Sequence, residues 1–192
     1  MQNEQTNFDN HSPFLLSKKM QEALQPFLYT KKVEKKETLL LAGDVCNNIF
    51  FVRKGAVKQY YITEEKEFIQ NFFFENNMAC LFDSFLTQTT SDSYLEALEG
   101  SELWVLSYHN FLKIGAAYPE FNQQLALCMS RMNNHRVNLL LLSDAMLRYQ
   151  KFLDEEPLIQ QRVPQYMIAT YLGMTPETLS RIRRKLTKRK AA

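Results

Sequence analysis

Apolar residues change their period twice along this chain. Phe14, Leu15, Leu16, Met20, Leu24 and Phe27 fall at helical spacing and predict an amphipathic helix ending near Pro26. Residues 1–12, ahead of it, are polar and expected to be disordered. From Val33 the pattern shortens to alternation and brief apolar runs. Val33–Lys36, Leu39–Leu41, Ile49–Val52, Ala56–Ile62, Phe68–Phe74, Tyr94–Leu98 and Glu102–Leu106 read as strands. Turns fall at Ala42-Gly43-Asp44, Lys54-Gly55, Glu64–Glu67 and Gly100. Short strands so punctuated predict a β-sandwich or jelly roll. Met78–Leu86 is expected as a short inserted helix and Thr87–Ser93 as a polar loop. Ser107 stands as the N-cap of a helix over Tyr108–Ala117.

Beyond Pro119 the spacing becomes helical again. Leu125, Cys128/Met129, Met132, Arg136, Leu139/Leu140, Ser143 and Met146/Leu147 recur at three and four, and no proline or glycine lies between Pro119 and Pro157. One helix of about 30 residues, about 45 Å long, is predicted. Its apolar stripe is expected to meet its twin in a homodimer, through Leu125, Met129, Met132, Arg136, Leu139, Ser143 and Met146. Packing along the chain's own sheet is the alternative. Asp154-Glu155-Glu156-Pro157 ends the helix.

Val163–Leu186 reads as two short helices around a tight turn. Ala169 provides a small residue where the helices cross, and Gly173 provides a left-handed turn. Ile168, Leu172, Met174, Leu179, Ile182 and Leu186 are spaced to share one core. Thr175-Pro176 opens the second helix with an N-cap hydroxyl and a proline at its first position. Glu177, Ser180, Arg181, Arg183 and Arg184 remain for solvent. The pattern is a helix-turn-helix with a basic second helix. An ordinary helical hairpin with a solvated basic face is the plainer reading.

Charge sharpens this picture. The chain of 192 residues carries a formal +2, yet residues 161–192 hold eight Lys/Arg against one acid, Glu177. That end is therefore +7 and the remainder −5, as expected of a polyanion binder. Apolar content of 45% fits a globular protein, and no apolar run of membrane-spanning length occurs. Cys46, Cys80 and Cys128 are widely spaced and form no CxxC, which suits a reducing cytoplasm. No HExxH, P-loop or GxGxxG is present, and His11, His109 and His135 have no nucleophile motif beside them, so catalysis is not expected.

The order of roll, long helix and helix-turn-helix resembles the Crp/Fnr family of bacterial transcription regulators, those related to the cAMP receptor protein. Two stretches carry the resemblance: Leu41–Gly55 with Val57, Lys58 and Tyr60, and Thr175-Pro-Glu-Thr-Leu-Ser-Arg181. It implies an α+β fold: a β-roll over 1–117, a dimerisation helix over 118–153 and a helix-turn-helix domain over 154–192. It implies a homodimeric, cytoplasmic, sequence-specific DNA-binding regulator, with RNA polymerase as a further partner. Glu177, Ser180 and Arg181 match residues that face base edges in the family. Arg183, Arg184, Lys185 and Lys188 are cast as phosphate contacts, with Thr175 beside the helix N-terminus. A module whose helix-turn-helix meets protein instead of DNA is the alternative.

The family's cyclic-nucleotide pocket does not carry over. Its Gly-Glu pair falls at Cys80 and Leu81, and its phosphate-binding arginine at Ser91. No arginine lies between Arg53 and Arg131, and Lys58, Lys66 and Lys113 are the nearest substitutes. No metal site or cofactor is expected. The cysteines are too scattered for an iron–sulfur cluster, and His109 and His135 read as surface or interface residues, not haem ligands. Phe72, Phe73, Phe74, Phe82 and Phe85 could line an apolar pocket, or simply fill the core. Only Thr187–Ala192 follow the basic helix, so the family's β-hairpin wing is expected to be reduced or absent.

Overall fold

The computed structural model describes residues 22–155 and 159–190, except for the side chains of residues 133 and 188–190. The expected disorder over 1–12 and most of the first helix lie outside the described residues. A 3-10 turn over Gln25–Phe27 leads into two four-stranded sheets. The strands are β1 (Leu28–Val33), β2 (Thr38–Leu40), β3 (Asn48–Lys54), β4 (Val57–Thr63), β5 (Lys66–Phe73), β6 (Met78–Ala79), β7 (Tyr94–Ala97) and β8 (Ser101–Ser107). One sheet has the order β1-β8-β3-β6 and the other β2-β7-β4-β5. The helices are α1 (Phe82–Thr87), α2 (Tyr108–Ala117), α3 (Pro119–Leu140), α4 (Ala145–Glu155), α5 (Ile159–Arg162), α6 (Gln165–Tyr171) and α7 (Pro176–Lys190).

The chain forms two compact units. One holds the strands up to Gln59 together with Phe72–Met132; the other holds Tyr60–Asn71 and the chain from Asn133 onward. In the first, β3 lies between β8 and β6, and Ile49, Phe50, Phe51 and Val52 are all buried. Such a strand reads as a continuous apolar run because neither of its faces meets water. Its partner β8 supplies Leu103 and Val105 opposite Val52 and Phe50. On the outer side Arg53 pairs with Glu102 at 2.8 Å and lies 4.4 Å over the Trp104 ring.

Aromatic edges continue this core. Phe85 of α1 meets Tyr108 at 5.2 Å and Phe111 at 5.0 Å, and Phe111 meets Phe121 of α3 at 6.0 Å. Such edge-to-face pairs add about 0.5–1.5 kcal/mol each beyond their buried area. Ser107 accepts the Asn110 N–H at 3.3 Å and caps α2 as expected.

Three expectations are corrected. Met78 and Ala79 form a strand, paired with Phe51 and Phe50, so the inserted helix begins only at Phe82. A two-residue strand is too short to show a period. The single helix over 118–153 is two helices, α3 and α4, parted at Leu141–Asp144. Asp144 breaks it by accepting the N–H groups of Met146 at 2.7 Å and Leu147 at 3.2 Å, as an N-cap does. The stripe expected to face a twin is largely used within the chain. Leu125 and Cys128 join Phe121 in the core of the first unit, Met129 and Met132 pack partly against it, and Leu139 is fully buried. Ser143 lies in the break and Met146 on α4, so neither continues the α3 stripe.

Gly55 shows how closely the strands meet. Its φ is +100°, and an added Cβ would stand 2.7 Å from the Ser101 Cα. Gly43 has φ +94° with open space around it. Gly43→Ala is expected to cost about 1–2 kcal/mol through its backbone alone. Gly55→Ala should cost clearly more, because backbone must also move. Urea unfolding of the two variants checks this; equal losses would contradict the close approach.

Candidate nucleic-acid interface

The helix-turn-helix is α6, a turn and α7. Helix α6 ends in two bonds that reach back over the turn: Gly173 N–H to Thr170 O at 3.1 Å and Met174 N–H to Ala169 O at 3.0 Å. This is a Schellman ending, and it needs a left-handed residue, here Gly173 at φ +63°. Ala169 is fully buried, and Ile168, Leu172, Leu179 and Ile182 form the shared core with it. Met174 and Leu186 are only half-buried at its rim. The Thr175 hydroxyl accepts the Thr178 N–H at 3.2 Å and caps α7.

Burial of Leu179 and Ile182 turns the opposite face of α7 outward. Glu177, Ser180, Arg181 and Arg184 are exposed there at spacings of three and four, one face of the helix. Arg181 bonds the Thr178 hydroxyl at 3.3 Å. The Glu177 carboxyl is held below the usual range, first by its own backbone N–H at the helix start, then by the Thr175 hydroxyl and the Arg181 charge. Glu177 is therefore an acceptor at neutral pH. Gln165, Ser180, Arg183, Arg184, Lys185 and Thr187 line one open concavity. The structure thus brings Glu177, Ser180, Arg181, Arg184 and Lys185 onto one exposed surface, with half-buried Arg183 at its edge and Thr175 at its head. The Lys188 side chain lies outside the described residues. Among the described residues no strand follows α7.

Two arginines that position the turn were not recognised as such from sequence. Arg148 of α4 donates to Leu172 O at 2.6 Å and to Leu142 O at 2.7 Å and 3.2 Å. Arg136 of α3 donates to Tyr171 O and to Ile69 O, and its guanidinium lies 4.0 Å over the Tyr171 ring. Arg136 had been expected at a dimer seam; its hydrogen-bonding groups are instead used within this unit. Helix α4 also belongs to this core through buried Tyr149 and Phe152, with Phe152 5.3 Å from Tyr171. The signal in the sequence was an arginine among apolar positions, which periodicity alone scores as an interruption.

At the expected nucleotide pocket, Cys80 and Leu81 are buried in the apolar core. Ser91 is held by its backbone, its carbonyl accepting from Gly43 and its N–H donating to Asp44. Lys58 is buried and paired with Glu96 at 3.2 Å. Phe73 and Phe85 are buried, and Phe82 packs partly against the same core.

Comparison with known proteins agrees with this geometry. Residues 30–118 match the family described as the cyclic nucleotide-binding domain. The chain is 29% identical over 189 residues to an anaerobic regulatory protein of Haemophilus influenzae, covering 88% of this chain and 72% of that one. It is 29% identical over 186 residues to a fumarate and nitrate reduction regulatory protein of Vibrio cholerae, covering 88% and 74%. Among solved structures, FixK2 of Bradyrhizobium japonicum superposes with a TM-score of 0.70 at 18% identity, covering 85% of this chain and 86% of that one. A CooA mutant from Carboxydothermus hydrogenoformans gives 0.65 at 22%, covering 92% and 88%. The solved structures share this chain's order of a β-roll followed by helices. Over most of its length the chain is thus similar to curated bacterial regulatory proteins, and over residues 30–118 to the cyclic nucleotide-binding domain.

The Arg148 fork is open to direct test. Hydrogen bonds to charged groups contribute about 1.5–3 kcal/mol. Arg148→Met should destabilise the C-terminal unit by about that amount. Arg148→Lys should recover only part, since an ammonium cannot span both carbonyls. Denaturant unfolding followed by helical circular dichroism reads this; two variants as stable as wild type would refute the role.

Proposed function

We propose that this regulator binds double-stranded DNA sequence-specifically as a homodimer, with α7 in the major groove, and without cyclic-nucleotide control. The observation that carries the reading is the exposed row Glu177, Ser180, Arg181 and Arg184 on a capped helix whose other face is buried. Glu177 accepts from a cytosine amino group, and Arg181 forks onto the acceptors of guanine. Ser180 between them bonds either class of base. Arg183, Arg184, Lys185 and Lys188 hold phosphates, which fix register without reading sequence. Thr175 adds a phosphate contact at the positive end of α7.

Pairing of two copies is supported by Leu127, Val137 and Leu141, which are exposed along the outer side of α3 and at its end. This replaces the inward residues first expected at the seam. The absence of cyclic-nucleotide control rests on Cys80, Leu81 and Ser91, which offer neither a carboxylate for a ribose nor a guanidinium for a phosphate. A role on the chromosome places the chain in the cytoplasm, with RNA polymerase as a further partner.

Arg181→Ala should relax base preference at one position of each half-site, at about 1–3 kcal/mol. Arg184→Ala should weaken binding evenly across sequences and lower the slope of affinity against salt by about one. Fluorescence anisotropy over a salt series distinguishes the two. If both variants bound like wild type, α7 would not be the reading helix.

A further inference from the structure

Two of the three cysteines meet inside the β-roll unit. The Cys46 and Cys80 sulfurs are 3.9 Å apart, and both residues are buried. They are 34 residues apart in sequence and come from different places: Cys46 from the loop before β3, Cys80 from the link between β6 and α1. We propose that Cys46 and Cys80 form a dithiol–disulfide site, oxidised by a hydroperoxide and reset by a small thiol, whose state sets the chain's affinity for DNA. The last clause rests on the DNA-binding reading above.

The two thiols are not equivalent. The hydrogen bond from Cys80 draws the Cys46 thiol down to about 7, against burial, with the Leu81 backbone helping. Burial pushes Cys80 well above the usual thiol range. Cys46 is therefore the attacking thiolate and Cys80 the resolving thiol. The Cys46 thiolate attacks the peroxide's OH oxygen; the O–O bond breaks, Cys46 becomes a sulfenic acid, and the hydroxide or alkoxide that leaves takes up the proton Cys46 released on ionising, to depart as water or an alcohol. The Cys80 sulfur then attacks the Cys46 sulfur. The S–O bond breaks, and the departing hydroxide takes the Cys80 proton as water. Two thiols have then given two electrons to the hydroperoxide. Reduction by two equivalents of a small thiol restores both cysteines and leaves the reductant as its disulfide.

Bond formation has a mechanical consequence. A disulfide is about 2.0 Å long, so the sulfurs close by about 1.9 Å. The Cys46 N–H is bonded to the Ser84 hydroxyl of α1 at 2.9 Å, and that hydroxyl donates to Thr89 O at 2.6 Å. Both cysteines thus pull on the same short helix. The next residue, Phe85, begins the aromatic series through Phe111 to Phe121 of α3. Cys128 is an internal control: burial pushes its thiol up to about 11, and its sulfur neighbour is Met132 at 3.9 Å.

The test uses the full chain treated with hydrogen peroxide or with reductant, then alkylated and mapped by mass spectrometry. The expected product is a Cys46–Cys80 disulfide, about 2 Da lighter than the dithiol, with Cys128 still free for alkylation. Its rate of formation should rise through pH 7 and level off by about pH 8, as Cys46 ionises. Affinity for duplex DNA, read by anisotropy, should differ at least about fivefold between the two states. The difference should vanish in Cys46→Ser. No linked peptide, or a peroxide response retained by Cys46→Ser, would overturn the site. A disulfide that leaves affinity unchanged would overturn the switch. Failure of both the reduced and the oxidised wild type to bind DNA would instead refute the DNA reading, while the mass spectrum would still judge the thiol pair.

Discussion

The surface proposed to read DNA depends on how the end of α6 is closed. A helix leaves its last carbonyls without partners, and buried carbonyls must find donors. Here Gly173 and Met174 supply two backbone N–H groups, and Arg136 and Arg148 supply guanidinium donors to Tyr171 O and Leu172 O. Two cations at the negative end of a helix dipole also gain electrostatically. Burial works against the Arg136 charge, and the Tyr171 contacts oppose that effect. The closure fixes the turn, the turn fixes the start of α7, and Thr175 fixes its first bonds. The side chains of Glu177, Ser180 and Arg181 inherit their direction from that sequence of constraints.

Much of this was legible before any coordinates. The turn was readable because four local signals agree: Ala169 small, Gly173 left-handed, Thr175 capping and Pro176 at the first helical position. Ile49–Val52 was readable as a buried run between the Gly43 and Gly55 turns, and Glu102–Leu106 as a largely alternating strand after the Gly100 turn. What was lost has physical reasons. β1 begins at Leu28, five residues before the expected start, because its burial does not alternate cleanly and gives no period to read. The break at Leu141–Asp144 contains no proline or glycine, and the apolar spacing runs on through it. Only the Asp144 cap ends the register. Spacing also cannot tell a stripe that covers its own core from one that meets a second copy. Leu125 and Leu139 proved to be the former.

The roll presents the opposite case. Its outline matches the cyclic nucleotide-binding domain, while the resemblance puts other residues where the nucleotide contacts are expected. At those positions stand Cys80 and Leu81, with Cys46 against Cys80. Sequence spacing gave no hint of that pairing, because strand topology, not local motif, brings the two sulfurs together. A helix-turn-helix is announced by neighbours in sequence; an input site in a β-roll is assembled from distant ones.

The central claim is that α7 reads a symmetric DNA site. Selection of bound duplexes from a random pool, at moderate salt, tests it most directly. The account predicts enrichment of an inverted repeat whose half-site centres lie about 34 Å, one helical turn, apart, or a multiple of that. A pool that emerges without a shared motif, or no retention of duplex even at low salt, would contradict it.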